Sequence, residues 1–203
     1  MSNKETRTII LGSTSPFRKE ILSKLNLSFL TDKPEVDETP LNNETPEELV
    51  ARLALLKAQA VAARHKDSIV IGSDQVAVFN DEILGKPHTH ENAVAQLTKF
   101  SGQTVTFLTG LSVIDTNSGI TNTIVEPFKV SFKNLTAEMI EFYLRAETPY
   151  NCAGSFKSEA LGICLFDKLQ GDDPNSLVGL PLIKLVSLLE KIDYSVLKQQ
   201  NKS

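Results

Sequence analysis

IVIGSDQVAVF, Ile69 to Phe79, is apolar at both ends and carries an acid, Asp74, in its middle. Ile, Val and Phe at this density read as a buried strand. A carboxylate inside such a run is costly unless it is paired or coordinated. Two readings stand. Either IVI and VAVF are the arms of a tight hairpin with GSDQ as its turn, which suits Gly and Asp. Or Asp74 sits at a strand bend as a general base or metal ligand.

The flanks supply the rest of the fold class. Upstream, Thr8–Leu11 is short, β-branched and apolar, and GSTSP follows it. Ser15 suits an N-cap and Pro16 the first helical position, so a helix is predicted from Pro16 to about Leu25. Leu27–Leu30 reads as a second short strand, and PEVDETPLNNETP, with its three prolines, as a loop. Thr45-Pro46-Glu47-Glu48 is a capping box. The helix it opens has an apolar stripe at Leu49, Leu53, Leu56, Ala60 and Ala63. Downstream, NDEI reads as a turn, and a helix is predicted over His90–Phe100. Gln103–Ile114 and Ile120–Phe132 read as two strands joined by DTNSG. A helix over Ala137–Arg145, a strand over Gly162–Phe166 and a final helix from about Leu180 to Ile192 complete the chain. Alternating strands and helices followed by a hairpin predict an α/β fold with a mixed sheet, as one unit over residues 1–203.

Composition bounds the function. The 203 residues are 41% hydrophobic and 23% charged, and the net charge is -4. A dedicated nucleic-acid binder carries a basic patch or stripe, so that class is set aside, while a local basic pocket for a small anion remains open. Cys152 and Cys164 form no CxxC or Cys/His cluster and read as reduced thiols. His65, His88 and His90 show no metal-binding spacing and read as surface residues. MSNKETRTIILGS is too short in apolar residues for a signal peptide, and no run approaches the ~20 apolar residues of a membrane span. The expectation is a cytoplasmic protein.

Four features carry candidate chemistry. In LGSTSPFRKEIL a strand feeds a Ser/Thr-rich turn into a helix start, a geometry that favours phosphate, with Arg18 placed for a forked contact. The alternative is a capped helix with a solvated Arg18. In EVDET, Glu35, Asp37 and Glu38 suit Mg²⁺ or Mn²⁺, or simply a solvated acidic loop. Asp74 is the third. Lys57 and Lys86 are the fourth. Lys57 lies about 80° from the centre of its helix's apolar stripe, where it snorkels to water or points into a cleft. With Arg18 they make three cations against three or four phosphate charges.

STSPFRKEIL, EVDETP, LVARLALLKA, IGSDQVAVF, GKP, SGQTVTFLTG, CAGSFKSEALG and VGLPL, in this order, resemble the Maf family of nucleotide pyrophosphatases. The similarity covers nearly the whole chain and is greatest to the branch acting on 7-methyl-GTP. It implies an α/β fold with an elongated mixed sheet flanked by helices, two lobes around a cleft, and frequent homodimers. It also implies a divalent cation (Mg²⁺, Mn²⁺ or Co²⁺) and hydrolysis of a nucleoside triphosphate to the monophosphate and pyrophosphate. The match makes Asp74 the proton acceptor and, with Glu38, a metal ligand. It makes Phe17, Gln75 and Glu159 the base-specificity positions, and Ser13, Arg18, Lys57 and Lys86 the phosphate-binding ones. Phe17 stands where that branch often has Trp. N7 methylation makes guanine cationic, and an aromatic face gains ~0.5–2 kcal/mol from such a charge. Glu159 offers an acceptor for the guanine N1–H and exocyclic amine. Alternatives are a pyrophosphatase for dTTP, UTP or another noncanonical nucleotide, or a non-catalytic nucleotide-binding regulator.

Overall fold

The computed structural model describes residues 7–200. Its elements run β1 (Thr8–Gly12), α1 (Pro16–Ser23), β2 (Phe29–Asp32), α2 (Pro46–Ala62), β3 (Ser68–Phe79), β4 (Glu82–Leu84), α3 (His90–Phe100), β5 (Thr104–Asp115), β6 (Thr121–Phe132), α4 (Ala137–Glu147), β7 (Phe166–Gln170), α5 (Pro174–Val178), α6 (Leu182–Glu190) and α7 (Val196–Gln199). The sheet is mixed, in the order β2-β1-β3-β5-β6-β7, with β4 on the β1 side of β3. The α/β expectation holds.

The Ile69–Phe79 stretch lies in one unbroken strand, so the hairpin reading falls, and of the second reading only the bend does: Asp74 sits in mid-strand. The reason is its neighbour: β5 pairs with β3 antiparallel from Ile69↔Asp115 to Val78↔Thr106 and leaves no room for a turn. The other edge of β3 is different. β1 pairs with it, parallel, as far as Gly12↔Gly72, and β4 takes over only at Ala77↔Leu84. Ser73, Asp74, Gln75 and Val76 therefore have no strand partner on that side. The interruption in the apolar run coincides with a four-residue gap in the ladder.

Two glycines set how closely α2 lies on the sheet. A Cβ at Gly72 would come within 2.3 Å of Ala54 O, and one at Gly110 within 2.0 Å of Val50 O. Side chains alternate along a strand and directly paired residues share a face. Gly72, Asp74 and its partner Gly110 thus all face α2. The helix meets them with Leu49, Val50, Leu53, Ala54, Lys57, Ala58 and Val61, all buried. The expected stripe is corrected accordingly: Leu56 and Ala60 are only partly buried and Ala63 is exposed, while Lys57 belongs to the buried face. Small residues opposite sheet glycines, more than large apolar ones, decide which face packs.

The opposite face carries two apolar clusters. One joins Ile69, Ile71, Leu111 and Val113 to Ile21 and Leu22 of α1 and to α6. The other joins Phe79, Val105 and Phe107 to α3 and α4. A polar belt separates them: Ser73 Oγ donates to Gly179 O (2.9 Å), Gln75 Nε2 to Ser176 O (2.7 Å) and Thr109 Oγ1 to Ser176 O (2.9 Å).

Several other expectations need correction. Leu161–Leu165 is a 3₁₀ turn, and strand β7 begins only at Phe166. Gly162 is folded so tightly there that a Cβ would lie 2.3 Å from Lys157 O. The NDEI turn contains strand β4, because Asn80 and Asp81 take positive φ and close a hairpin onto β3. The second strand starts at Phe29 rather than Leu27, in register with Ile9 of β1. Helix α5 escaped the sequence reading, although Asp173 before Pro174 is a cap signal, and Asp173 does accept from Asn175 N at 2.8 Å. His65 and His90 are half-buried and paired, His65 Nε2 with Asp32 and His90 with both Tyr150 and Glu141. No helix among the described residues is long and apolar enough to cross a membrane.

Candidate active site

The gap in the β3 ladder opens onto a cleft of about 800 Å³. All nine residues to which the family resemblance gives a role line it: Ser13, Phe17, Arg18, Glu38, Lys57, Asp74, Gln75, Lys86 and Glu159. They come from six separated segments. Glu35 and Asp37 do not line it; Glu35 pairs with Lys33 and Asp37 accepts from Thr39 N.

One wall is the turn where β1 ends. Ser13 Oγ accepts from Ser15 N (3.1 Å), and Ser15 caps α1 by accepting from Arg18 N. Phe17, in the first turn, is half-buried and outside the apolar clusters. The sequence reading assigned nothing to Gly179, yet its carbonyl is a junction, accepting from Ser73 Oγ and from Arg18 Nε, both at 2.9 Å. It ends α5 at φ 110°, a left-handed conformation that favours glycine. Arg18 is anchored through Nε, and its two terminal nitrogens have no partner among the described residues. Burial draws its pKa below the ordinary value, while the Asp74 and Glu38 carboxylates push it back up.

The floor is an acid–base–acid chain. Lys57, carried down by the close seat of α2, places Nζ 2.7 Å from Asp74 Oδ1 and 2.9 Å from Glu38 Oε1. Asp74 and Lys57 are buried at 7% and 6% exposure, so neither charge stands alone in the interior. Gln75 lines the cleft with its amide nitrogen committed to Thr109, Ser176 and Leu177. Its amide oxygen has no partner among the described residues.

The far wall comprises Lys86 and residues between Thr148 and Glu159, with Thr148 and Ser155 at positive φ. Lys86 and Glu159 are exposed. Two cations absent from the sequence reading also line the cleft, Lys33 and Lys157, the latter paired with Glu147 at 3.0 Å. Lys157 lay within CAGSFKSEALG and was legible as a candidate. The lining thus holds five cations (Arg18, Lys33, Lys57, Lys86, Lys157) against three acids (Glu38, Asp74, Glu159), in a chain whose net charge is -4. Such a local excess of positive charge suits a polyanion. Cys152 also lines the cleft, and burial pushes its thiol pKa up, away from nucleophilic thiolate.

The donor set fits a divalent cation of the Mg²⁺ kind. Asp74 Oδ2 and Glu38 Oε2 have no hydrogen-bond partner among the described residues, and both carboxylates line the cleft. No group of three acidic, His or Cys side chains gathers among the described residues. Mg²⁺ ordinarily takes one or two carboxylates and completes its shell with substrate phosphate and water, so two are enough.

Residues 8–192 match the family of Maf-like proteins. The 7-methyl-GTP pyrophosphatase of Colwellia psychrerythraea is 60% identical over 97% of this chain and 98% of its own length. The protein of the same name from Pseudoalteromonas translucida is 61% identical over 95% and 96%, and that of Nitrosococcus oceani 57% over 94% and 96%. Among solved structures, the Staphylococcus aureus Ham1 protein is similar over 63% of this chain and 73% of its own, at 17% identity and a TM-score of 0.44, too loosely to bear on function.

Proposed function

This chain belongs to the Maf-like family, and on that premise we propose that it hydrolyses 7-methyl-GTP to 7-methyl-GMP and pyrophosphate in the cleft beside the open stretch of β3. The observation that carries the reading is the convergence of Asp74, Glu38 and five cations around one volume large enough for a nucleotide.

In this mechanism the triphosphate lies between the wall that carries Ser13 and Arg18 and the far wall that carries Lys86, whose donors and charges complement its oxygens. Asp74 accepts a proton from a water directed at the α-phosphorus. The water oxygen bonds to that phosphorus as the bridge oxygen to the β-phosphorus departs with pyrophosphate. Lys57 balances the charge that builds on the phosphoryl oxygens and keeps Asp74 oriented. A divalent cation, held by Asp74 and Glu38, would neutralise phosphate charge. Phe17 offers its ring face to the cationic base, and Glu159 accepts from the guanine N1–H and amine. A site built on that paired contact disfavours bases lacking the donors. Gln75 contributes its free amide oxygen from a position fixed by α5.

The test is a panel of 7-methyl-GTP, GTP, dTTP and UTP with Mg²⁺ and pyrophosphate detection. The expected outcome is fastest turnover of 7-methyl-GTP, by about tenfold or more. Faster turnover of dTTP or UTP would overturn the base assignment, and binding without turnover would overturn the enzymatic one.

A further inference from the structure

The two carboxylates suited to a divalent cation are both held by one ammonium. Lys57 Nζ bridges Asp74 Oδ1 and Glu38 Oε1, and finds no other hydrogen-bond acceptor among the described residues. The backbone that carries it is not adjustable at little cost. The stem lies on the buried face of α2, whose seat is fixed by the backbone contacts at Gly72 and Gly110. A cation placed on both carboxylates would therefore sit against a fixed positive charge in a partly dry site, where like-charge repulsion is strong. Among the described residues no third acidic ligand stands there to outweigh it.

We propose, on the functional reading above, that Lys57 is a resident counter-ion that keeps metal and nucleotide from binding separately. In the nucleotide-free protein it holds Asp74 and Glu38 and makes divalent-cation binding weak. A triphosphate gives the ammonium other anionic partners and supplies the missing oxygen ligands, so cation and nucleotide each strengthen the other's binding. This coupling is reciprocal by thermodynamic necessity. It distinguishes Lys57 from Arg18 and Lys86, neither of which pairs with a carboxylate among the described residues. A role in phosphate binding alone would leave the metal affinity of the empty site unaffected by Lys57.

The probe is Mn²⁺ alone, titrated into nucleotide-free protein and followed by the electron paramagnetic resonance of the free ion. Lys57→Met is expected to bind Mn²⁺ at least about tenfold more tightly than the wild type, the range typical of site-to-site coupling. Lys57→Arg, which keeps the charge, stays as weak as the wild type. Lys57→Gln is a second uncharged variant, expected to match Lys57→Met, and thermal unfolding checks that each variant is folded. If the uncharged variants bind Mn²⁺ no more tightly than the wild type, the counter-ion role is wrong. Turnover of 7-methyl-GTP by the wild type is a separate readout. Its absence would remove the functional reading, and its presence with unchanged Mn²⁺ affinities would remove the Lys57 proposal alone.

Discussion

Ser68–Gly72 and Ser73–Val76 are consecutive stretches of one strand with different constraints. The first is held on both edges, by β1 and by β5, and is buried throughout. The second keeps β5 but has lost β1, and its open edge looks into the cleft. Gly72 and Asp74, two residues apart on the same face, show the contrast. At Gly72 the helix is so near that a Cβ would collide with it, whereas at Asp74 the same helix delivers Lys57. A strand with a missing neighbour is a place where a buried acid can meet substrate without breaking the sheet.

The sharpest test of this contrast is Asp74→Asn. If Asp74 accepts the proton, as proposed, this change should lower kcat for 7-methyl-GTP by about 10³-fold, within the range for general-base catalysis. Thermal unfolding should change little, because Asn keeps the shape and a contact to Lys57. A large fall in the unfolding temperature would place Asp74 with Gly72, as part of the framework. Gly110→Ala is the complementary change, directly across the ladder from Asp74. A methyl 2.0 Å from Val50 O must lift α2, at a cost of about 3 kcal/mol, read as a lower urea midpoint.

Glu159→Gln comes next. Loss of a charged acceptor, worth about 1.5–3 kcal/mol, should lower kcat/KM for 7-methyl-GTP by about tenfold or more and leave dTTP and UTP, which lack the paired donors, nearly unchanged. Equal losses across nucleotides would remove Glu159 from base recognition.

The smallest effect is expected at the loop that carries Glu38. Arg52 binds Glu44 through two nitrogens, at 2.5 and 2.7 Å, and also donates to Thr39 O. These hydrogen bonds, with a further one from Leu41 N, lower the Glu44 pKa from 4.5 to about 2. A folded pKa below the unfolded one contributes stability that is present above pH 4.5 and lost as pH falls toward 2. Glu44→Gln should therefore flatten the fall of the unfolding temperature over that window. A slope identical to the wild type's would show that the clamp does not hold the loop in solution.

The legibility of the sequence followed the same division. Helix starts were readable where their caps are local chemistry: Ser15-Pro16 and the Thr45 capping box. The hairpin of β5 and β6 was readable from its turn. The course of β3 was not, because what keeps it straight is ten pairs with a strand some forty residues on. The apolar stripe of α2 was misplaced for a related reason, although the cleft expected as one option for Lys57 is where it points. Counting large apolar residues put that lysine beside the stripe, while the packing face is fixed by Ala54 and Ala58 against sheet glycines. The nine candidate site residues converge on one cleft. The Gly179 carbonyl that ties Ser73 to Arg18 was invisible, since a backbone acceptor has no sequence signature of its own.

If the open stretch of β3 brings water to the α-phosphorus, the water oxygen ends in the nucleoside monophosphate. Hydrolysis of 7-methyl-GTP in ¹⁸O-water with Mg²⁺, followed by mass spectrometry of the products, tests it directly. One ¹⁸O is expected in 7-methyl-GMP and none in pyrophosphate. Label in the pyrophosphate, or release of orthophosphate with 7-methyl-GDP, would contradict it.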